Sequence, residues 1–393
     1  MKTPFLLILC SLLFACTKNK DESNFNLSEI SPVAGGECQY VQLKADFSQL
    51  DTNDILVNFN GVEAEVATIT DSSLLVKVPA GATTGKISVE SAGNTYTSLT
   101  DFNVLKGTWK RLPDFPGEAR FGGVGFVIED KIYYGTGSNN GTYFDNFWEY
   151  DPVSEQWTQK ADFPGGACYG STGVTVGTKG YVGFGAGNGY KNFLWSYEPE
   201  TDTWTRLADC PSEGDYGMAG FELNGKAYFG GGVESANFWE YDPATDAWTQ
   251  LPNSPPGNQR FAGIGFSHNG KGYTGLGGYE GDKKLYSFDP VNGQWTTTTE
   301  IPTNQSVLFF SSSFMINEKV FVRIKDECWS FSTTNNSWEQ IAAPCGSPQY
   351  AENAFSVGGK GYLICGNGGS DIGAWPGLTI GATKEVWEFT PTD

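Results

Sequence analysis

Six tryptophans constrain this 393-residue chain more than any other feature. Trp109, Trp157, Trp204, Trp248, Trp295 and Trp338 recur every 43 to 48 residues. Nine residues before each of the last five stands another aromatic: Trp148, Trp195, Trp239, Tyr286 and Trp329. The text between them is nearly constant, Trp148-Glu149-Tyr150-Asp151-Pro152 in one unit and Trp239-Glu240-Tyr241-Asp242-Pro243 in another. It predicts a strand, a turn opened by Asp-Pro, and a second strand. Upstream, each unit carries an apolar hairpin with a lysine at its turn (Lys131, Lys179, Lys226, Lys271, Lys319 or Lys360), then a glycine-rich stretch. Four strands in about 46 residues is the period of a propeller blade.

The ends of the repeat fix the number of units. The sixth has its third strand at Trp387-Glu388-Phe389 and then runs out of chain, while Thr108-Trp109-Lys110-Arg111-Leu112 reads as a fourth strand with no unit before it. Joining the two closes a ring of six and removes two exposed sheet edges. With its glycine pairs, tyrosines and paired tryptophans, the segment 107–393 resembles the kelch family. The resemblance implies a six-bladed β-propeller closed by its N-terminal strand.

The segment 28–105 alternates short apolar runs with turn residues. Strands are expected at Tyr40 to Leu43, Ile55 to Phe59, Leu74 to Val78, Ile87 to Val89 and Phe102 to Val104, with Asn60-Gly61 as a hairpin turn. Ile30-Ser31-Pro32 with Gly35-Gly36, Phe59-Asn60-Gly61 and Val78-Pro79-Ala80-Gly81 with Thr84-Gly85 resemble the IPT/TIG immunoglobulin-like family. That implies a small β-sandwich acting as a spacer or interaction module. The fold class expected for the whole chain is all-β, an immunoglobulin-like sandwich followed by the propeller.

The first residues read as an address. Lys2 precedes a short apolar run from Phe5 to Phe14, too short for a membrane span, and Leu13-Phe14-Ala15-Cys16 resembles the lipobox of bacterial lipoproteins. The resemblance implies a signal peptide over 1–15, a polar tether over 16–27 and lipidation of Cys16. The expected location is the bacterial outer membrane, lipid-anchored and surface-exposed. Six cysteines then remain in the fold, in a compartment that permits disulfides. Cys168 with Cys210, and Cys345 with Cys365, are compatible by repeat position, although sequence does not fix pairing. Cys328 stands where other units have Phe or Leu and reads as a buried apolar residue.

Several chemistries are disfavoured. A net charge of −20 repels phosphate backbones, so no nucleic acid is expected as partner. One histidine and no C-x-x-C pair argue against a structural metal, and no cofactor is expected. The glycine-rich stretch Gly183 to Gly189 precedes a strand, so no helix N-terminus offers itself to phosphate. Copper enzymes resembling galactose oxidase need two histidine ligands, whereas this chain has only His268, read as a surface turn residue.

A repeat supplies its own control: residues present in every unit are scaffold, and departures are where function can sit. Glu149, Glu240 and Glu388 share one column and read as structural. The column opening each inner strand varies, as Arg120, Cys168, Asp215, Arg260, Leu308 and Gln349, and the next is aromatic throughout. Arg120 opposes Arg260 across the ring, and Asp215 opposes Gln349. The arginines either take a carboxylate or vicinal hydroxyls, or pair with acids such as Glu118 and hold the loops. The rim loops add Tyr143, Tyr190 and Trp375, rings suited to stacking on sugar, with Trp375 equally readable as a packed loop anchor. The candidate ligand site is therefore Arg120, Asp215, Arg260, Gln349, Tyr143, Tyr190 and Trp375. The function expected is non-catalytic binding of a glycan or surface protein. The alternatives are a sugar mutarotase or epimerase, as in six-bladed sialate mutarotases, and a structural or assembly lipoprotein.

Overall fold

The computed structural model describes residues 27–252, 263–278, 281–305, 311–345, 349–368 and 381–392. Cys16, Arg260 and Trp375 lie outside the described residues, as do the segment expected to be a signal peptide and nearly all of the expected tether. The chain is all-β, and its only helical elements among the described residues are two short 3-10 turns.

The N-terminal part forms two sheets around one core. Glu29–Ser31, Tyr40–Lys44, Ser73–Lys77 and Val66–Ile69 make the first, in that order. Ala34–Gly35, Asn94–Val104, Gly85–Ser91, Leu56–Phe59 and Val62–Ala64 make the second. Burial alternates strictly along Tyr40–Lys44 and Ser73–Lys77, the signature of a strand wet on one face only. Val41, Leu43, Leu74 and Val76 from one sheet meet Val57, Phe59, Ile87 and Phe102 from the other. Phe59 and Phe102 pack edge to face. Asn60 and Gly61 both adopt positive φ, +47° and +87°, the turn that suits the twist of a two-residue hairpin.

Six four-stranded antiparallel sheets follow. Their first strands are Val124–Ile128, Thr172–Val176, Ala219–Leu223, Ile264–His268, Ser312–Ile316 and Asn353–Val357. These first strands touch one another in a cycle, the sixth returning to the first. The contact is close because the second position is small: a Cβ on Gly173 would lie 2.3 Å from the Gly125 carbonyl, and one on Gly265 2.4 Å from that of Gly220. In sheets one to five the strands run in chain order. In sheet six the outermost strand is Thr108–Leu112, paired with Val386–Thr390 from Thr108 opposite Thr390 to Leu112 opposite Val386. The cores lie between neighbouring sheets, where rings such as Phe126, Phe147, Phe163 and Tyr197 interleave. His268 ends a strand rather than sitting in the turn itself. It is half-buried, and its Nε2 has no hydrogen-bond partner.

Cysteine pairing departs from both pairs that repeat position suggests. Cys345 bonds Cys38, across 307 residues, and ties the two-sheet unit to the end of sheet five. Around this bond the Ala342 N–H donates to the Lys106 carbonyl at 2.8 Å, and Gly36 lies so near Ala342 that a Cβ would collide with it. Cys168, Cys210, Cys328 and Cys365 are free and buried. Burial pushes the Cys168 and Cys210 thiols up to about 11 and those of Cys328 and Cys365 up to about 12. Thiols held this far from ionisation are poor nucleophiles. Alkylation of the native protein is accordingly expected to leave these four untouched, while a non-reducing digest yields one peptide joining Cys38 to Cys345. Modification of any of the four before unfolding would contradict this arrangement.

Candidate functional site

At the ends of the strands opposite the lysine turns, the connections grow into short hairpins. Ser138–Asn139 pairs with Thr142–Tyr143 above sheet one, and Ala186–Gly187 pairs with Gly189–Tyr190 above sheet two. Asn140 and Gly141 supply the positive-φ turn of the first. These hairpins set two tyrosines on the rim, Tyr143 38% and Tyr190 49% exposed. Each lies flat on a ring of the aromatic column. Tyr143 stacks on Tyr169 at 5.6 Å between centroids and 7° between planes, and Tyr190 on Tyr216 at 5.4 Å and 19°. Tyr169 and Tyr216 are themselves 5.5 Å apart, and Phe121 adjoins Tyr169. Five rings thus run as a row over sheets one to three. Beside the row, Lys191 donates to the Asn188 carbonyl and the Glu234 side chain is exposed. In the small rim sheet of Gln349–Tyr350, Asn367–Gly368 and Gly381–Ala382, Asn367 Nδ2 donates to the Tyr350 hydroxyl at 2.8 Å.

The two charged residues expected to meet a ligand are placed differently. Arg120 is 0% exposed. Its Nε donates to the Glu118 carbonyl, and its Nη1 to the Thr136 carbonyl and Asn146 Oδ1. The guanidinium is sandwiched between the rings of Phe115 and Phe144, 4.8 and 4.4 Å away. Asp215, 1% exposed, accepts from the backbone N–H groups of Tyr216, Glu234 and Ser235. A Cβ on Gly232 would strike its carboxylate, so that glycine is what lets the loop close over it. Desolvation pushes the Asp215 carboxyl up, against the pull of those N–H donors. The structure places Arg120 and Asp215, expected to offer charge at the mouth, inside the wall, where their hydrogen bonds hold the rim loops; Arg120 Nη2 is buried without a hydrogen-bond partner among the described residues. Gln349 lies in the rim strand Gln349–Tyr350, paired with Asn367–Gly368.

A pair that the sequence reading passed over lies between sheets five and six. Arg323 Nη1 and Glu352 Oε1 are 2.6 Å apart, and both side chains are buried, 3% and 2% exposed. Arg323 Nε also donates to the Lys325 carbonyl. Arg323 occupies the column of Gly135, Gly183, Gly230 and Gly275, and it is paired across the sheet with Cys328 where other sheets place Phe147, Leu194, Phe238 and Leu285. The small cysteine makes room for the long arginine. Glu352 replaces Gly123, Ser171 and Met218 of the other units. Desolvation pushes the Glu352 carboxyl up to about 7, against the pull of the Arg323 charge.

The glutamates of the repeat column are structural. Lys131 Nζ and the Tyr133 hydroxyl both bond Glu149, and the trios Lys226–Tyr228–Glu240 and Lys360–Tyr362–Glu388 repeat the arrangement. The axial channel, about 280 Å³, is lined by the second to fourth residues of the six first strands, with Glu222 as its one charged lining residue among those described. Glu222 is occupied by the Gly225 N–H at 2.7 Å. No group of three or more metal-ligating side chains gathers among the described residues.

No family model matches the sequence, and no curated protein matches it. Among solved structures, that of YjhT is similar with a TM-score of 0.56 at 16% identity, covering 70% of this chain and 95% of YjhT. The fold is β-propeller-like. At this identity the likeness speaks for the fold alone.

Proposed function

We propose that this chain is a bacterial surface lipoprotein that binds a glycan across the tyrosine row of its rim. In this reading the six sheets are a six-bladed kelch-type propeller, the two-sheet unit is an IPT/TIG-like spacer, and Cys16 carries the lipid. One observation carries the ligand assignment: Tyr143 and Tyr190 are exposed, flat on supporting rings, and set by hairpins of adjacent sheets. A ring held flat on another ring loses little freedom when a sugar stacks on it. The C–H face of a pyranose matches such a surface, while neighbouring amides and carboxylates suit its hydroxyls. The mutarotase alternative relied on Arg120 and Arg260 meeting an acidic sugar; the Arg120 guanidinium lies between two rings, and Arg260 is outside the described residues.

A glycan array probed with the full chain is expected to give a defined set of bound sugars recovered unaltered. Tyr143→Ala and Tyr190→Ala should each weaken binding about tenfold, the loss of roughly 1–1.5 kcal/mol of stacking. Neither should shift the melting temperature noticeably, since exposed substitutions cost about 0.5 kcal/mol or less. A bound glycan whose affinity ignores both substitutions would place the site elsewhere.

A further inference from the structure

We infer a second ligand site, on the opposite face from the tyrosine row, that takes a small carboxylate with an apolar body. It is a cavity of about 330 Å³ at the seam where sheet five meets the closing strand. That is within the range of small-molecule sites. Its floor is Phe321 and Phe389, its edge carries Ser330 and Glu339, and Lys106 and Lys319 stand at its mouth.

This seam combines losses of polar side chains that are only partial at the other seams; sheet four, for example, also has Phe288 and Gly293 in place of the tyrosine and aspartate but keeps Tyr273. On sheets one, three and six the turn lysine is neutralised by a glutamate that also takes a tyrosine hydroxyl. Sheets two and four place Ser196 and Ser287 at the glutamate position but keep Tyr181 and Tyr273. Sheet five lacks both groups, with Ser330 opposite Phe321. The following sheet contributes a second loss. On sheets two and three a tyrosine hydroxyl and a backbone N–H from the preceding sheet share an aspartate: Tyr197 and Ala161 on Asp202, Tyr241 and Ala208 on Asp246. At the closing strand the tyrosine is Phe389 and the aspartate is Gly107, at φ +92°, where a Cβ would strike Phe389. The Ala342 N–H is satisfied instead by the Lys106 carbonyl.

Charge selects the ligand. Lys106 lies 3.6 Å from Glu339, which takes up part of its charge. Lys319 Nζ has no ion pair or hydrogen bond among the described residues, and its glutamate is missing from the column. On a chain of net charge −20, a lysine relieved of its partner beside a half-apolar cavity favours an anion. On sheets one, three and six the corresponding volume holds a carboxylate and a phenol, and an aryl carboxylate would supply both a charge and a ring.

Phenylacetate titrated into the full chain, followed by ligand-observed NMR, tests this. The expected Kd is about 1 mM or tighter, given the few atoms such a ligand buries. Phenylacetamide, with no charge, and acetate, with no body, should each bind at least about tenfold more weakly. Lys319→Ala, an exposed change, should weaken phenylacetate by at least about tenfold. Ser330→Glu with Phe321→Tyr restores the trio of the other sheets and should abolish binding while raising the melting temperature. Absence of phenylacetate binding to the parent overturns the inference, as does equal binding of acid and amide. Undiminished binding to the folded double variant overturns it too. Glycan binding at the rim is read out separately and is expected to persist in every one of these variants.

Discussion

Trp109→Ala is expected to lower the folding stability by about 3–5 kcal/mol, a large share of what a domain of this kind possesses. The residue belongs to the only strand that sheet six draws from the other end of the repeat segment. Its ring lies 4.9 Å from Phe389 and 6.5 Å from Phe314, and its Nε1–H donates to the Ala342 carbonyl at 2.7 Å. Truncation therefore removes a packed ring and orphans a carbonyl at the seam. Denaturant melts followed by circular dichroism would show the loss as a lower midpoint. Deleting Gly107 to Leu112 altogether should do more, because Val386–Thr390 would then be an open edge. Parent-like midpoints in both variants would mean that Thr108–Leu112 contributes nothing to closing the ring.

Arg323→Met should cost a comparable amount, about 3–5 kcal/mol above neutral pH, by leaving the Glu352 carboxylate buried without its counter-charge. The pH dependence distinguishes this from a packing defect. Glu352 titrates near 7 in the folded chain against an ordinary 4.5. Between those values the native state holds a proton that the unfolded chain has released. The contribution of this group to stability is thus complete below about pH 4.5 and is lost as the pH rises through about 7, the reverse of a salt-bridged surface acid. The parent should therefore lose stability across that window relative to Glu352→Gln, which keeps a hydrogen-bond acceptor for Arg323 and does not ionise. Arg323→Met should extend the decline to higher pH, because loss of the Arg323 charge pushes the Glu352 carboxyl up further. Identical pH profiles for parent and Glu352→Gln would remove the carboxyl from the account.

The spacing of paired aromatics, Asp-Pro turns and turn lysines made the strands of the six sheets readable, because each turn type demands particular residues at fixed offsets. The small N-terminal strands were readable for the same reason. The direction of a side chain was not readable. Arg120 and Asp215 break the repeat as a ligand site would, yet a buried anchor breaks it equally well, and only the positions of Phe115, Phe144 and Gly232 distinguish the two cases. The same comparison of columns, moved three positions along, would have found Glu352, and applied to the glycine column it would have found Arg323. Cys328 reads from the sequence as a buried apolar residue where other units have Phe or Leu, but the reason for a cysteine there lies across the sheet, in the arginine it accommodates. The partner of Cys345 was beyond reach, since no local pattern relates it to Cys38.

That bond sets the path of mechanical load. The closing strand Thr108–Leu112 lies inside the covalent loop between Cys38 and Cys345. Tension applied upstream of Cys38, as at an anchored N-terminus, reaches sheet five directly through sulfur. The backbone from residue 39 to the closing strand stays slack, so a pull that would otherwise peel the outermost strand from sheet six passes it by.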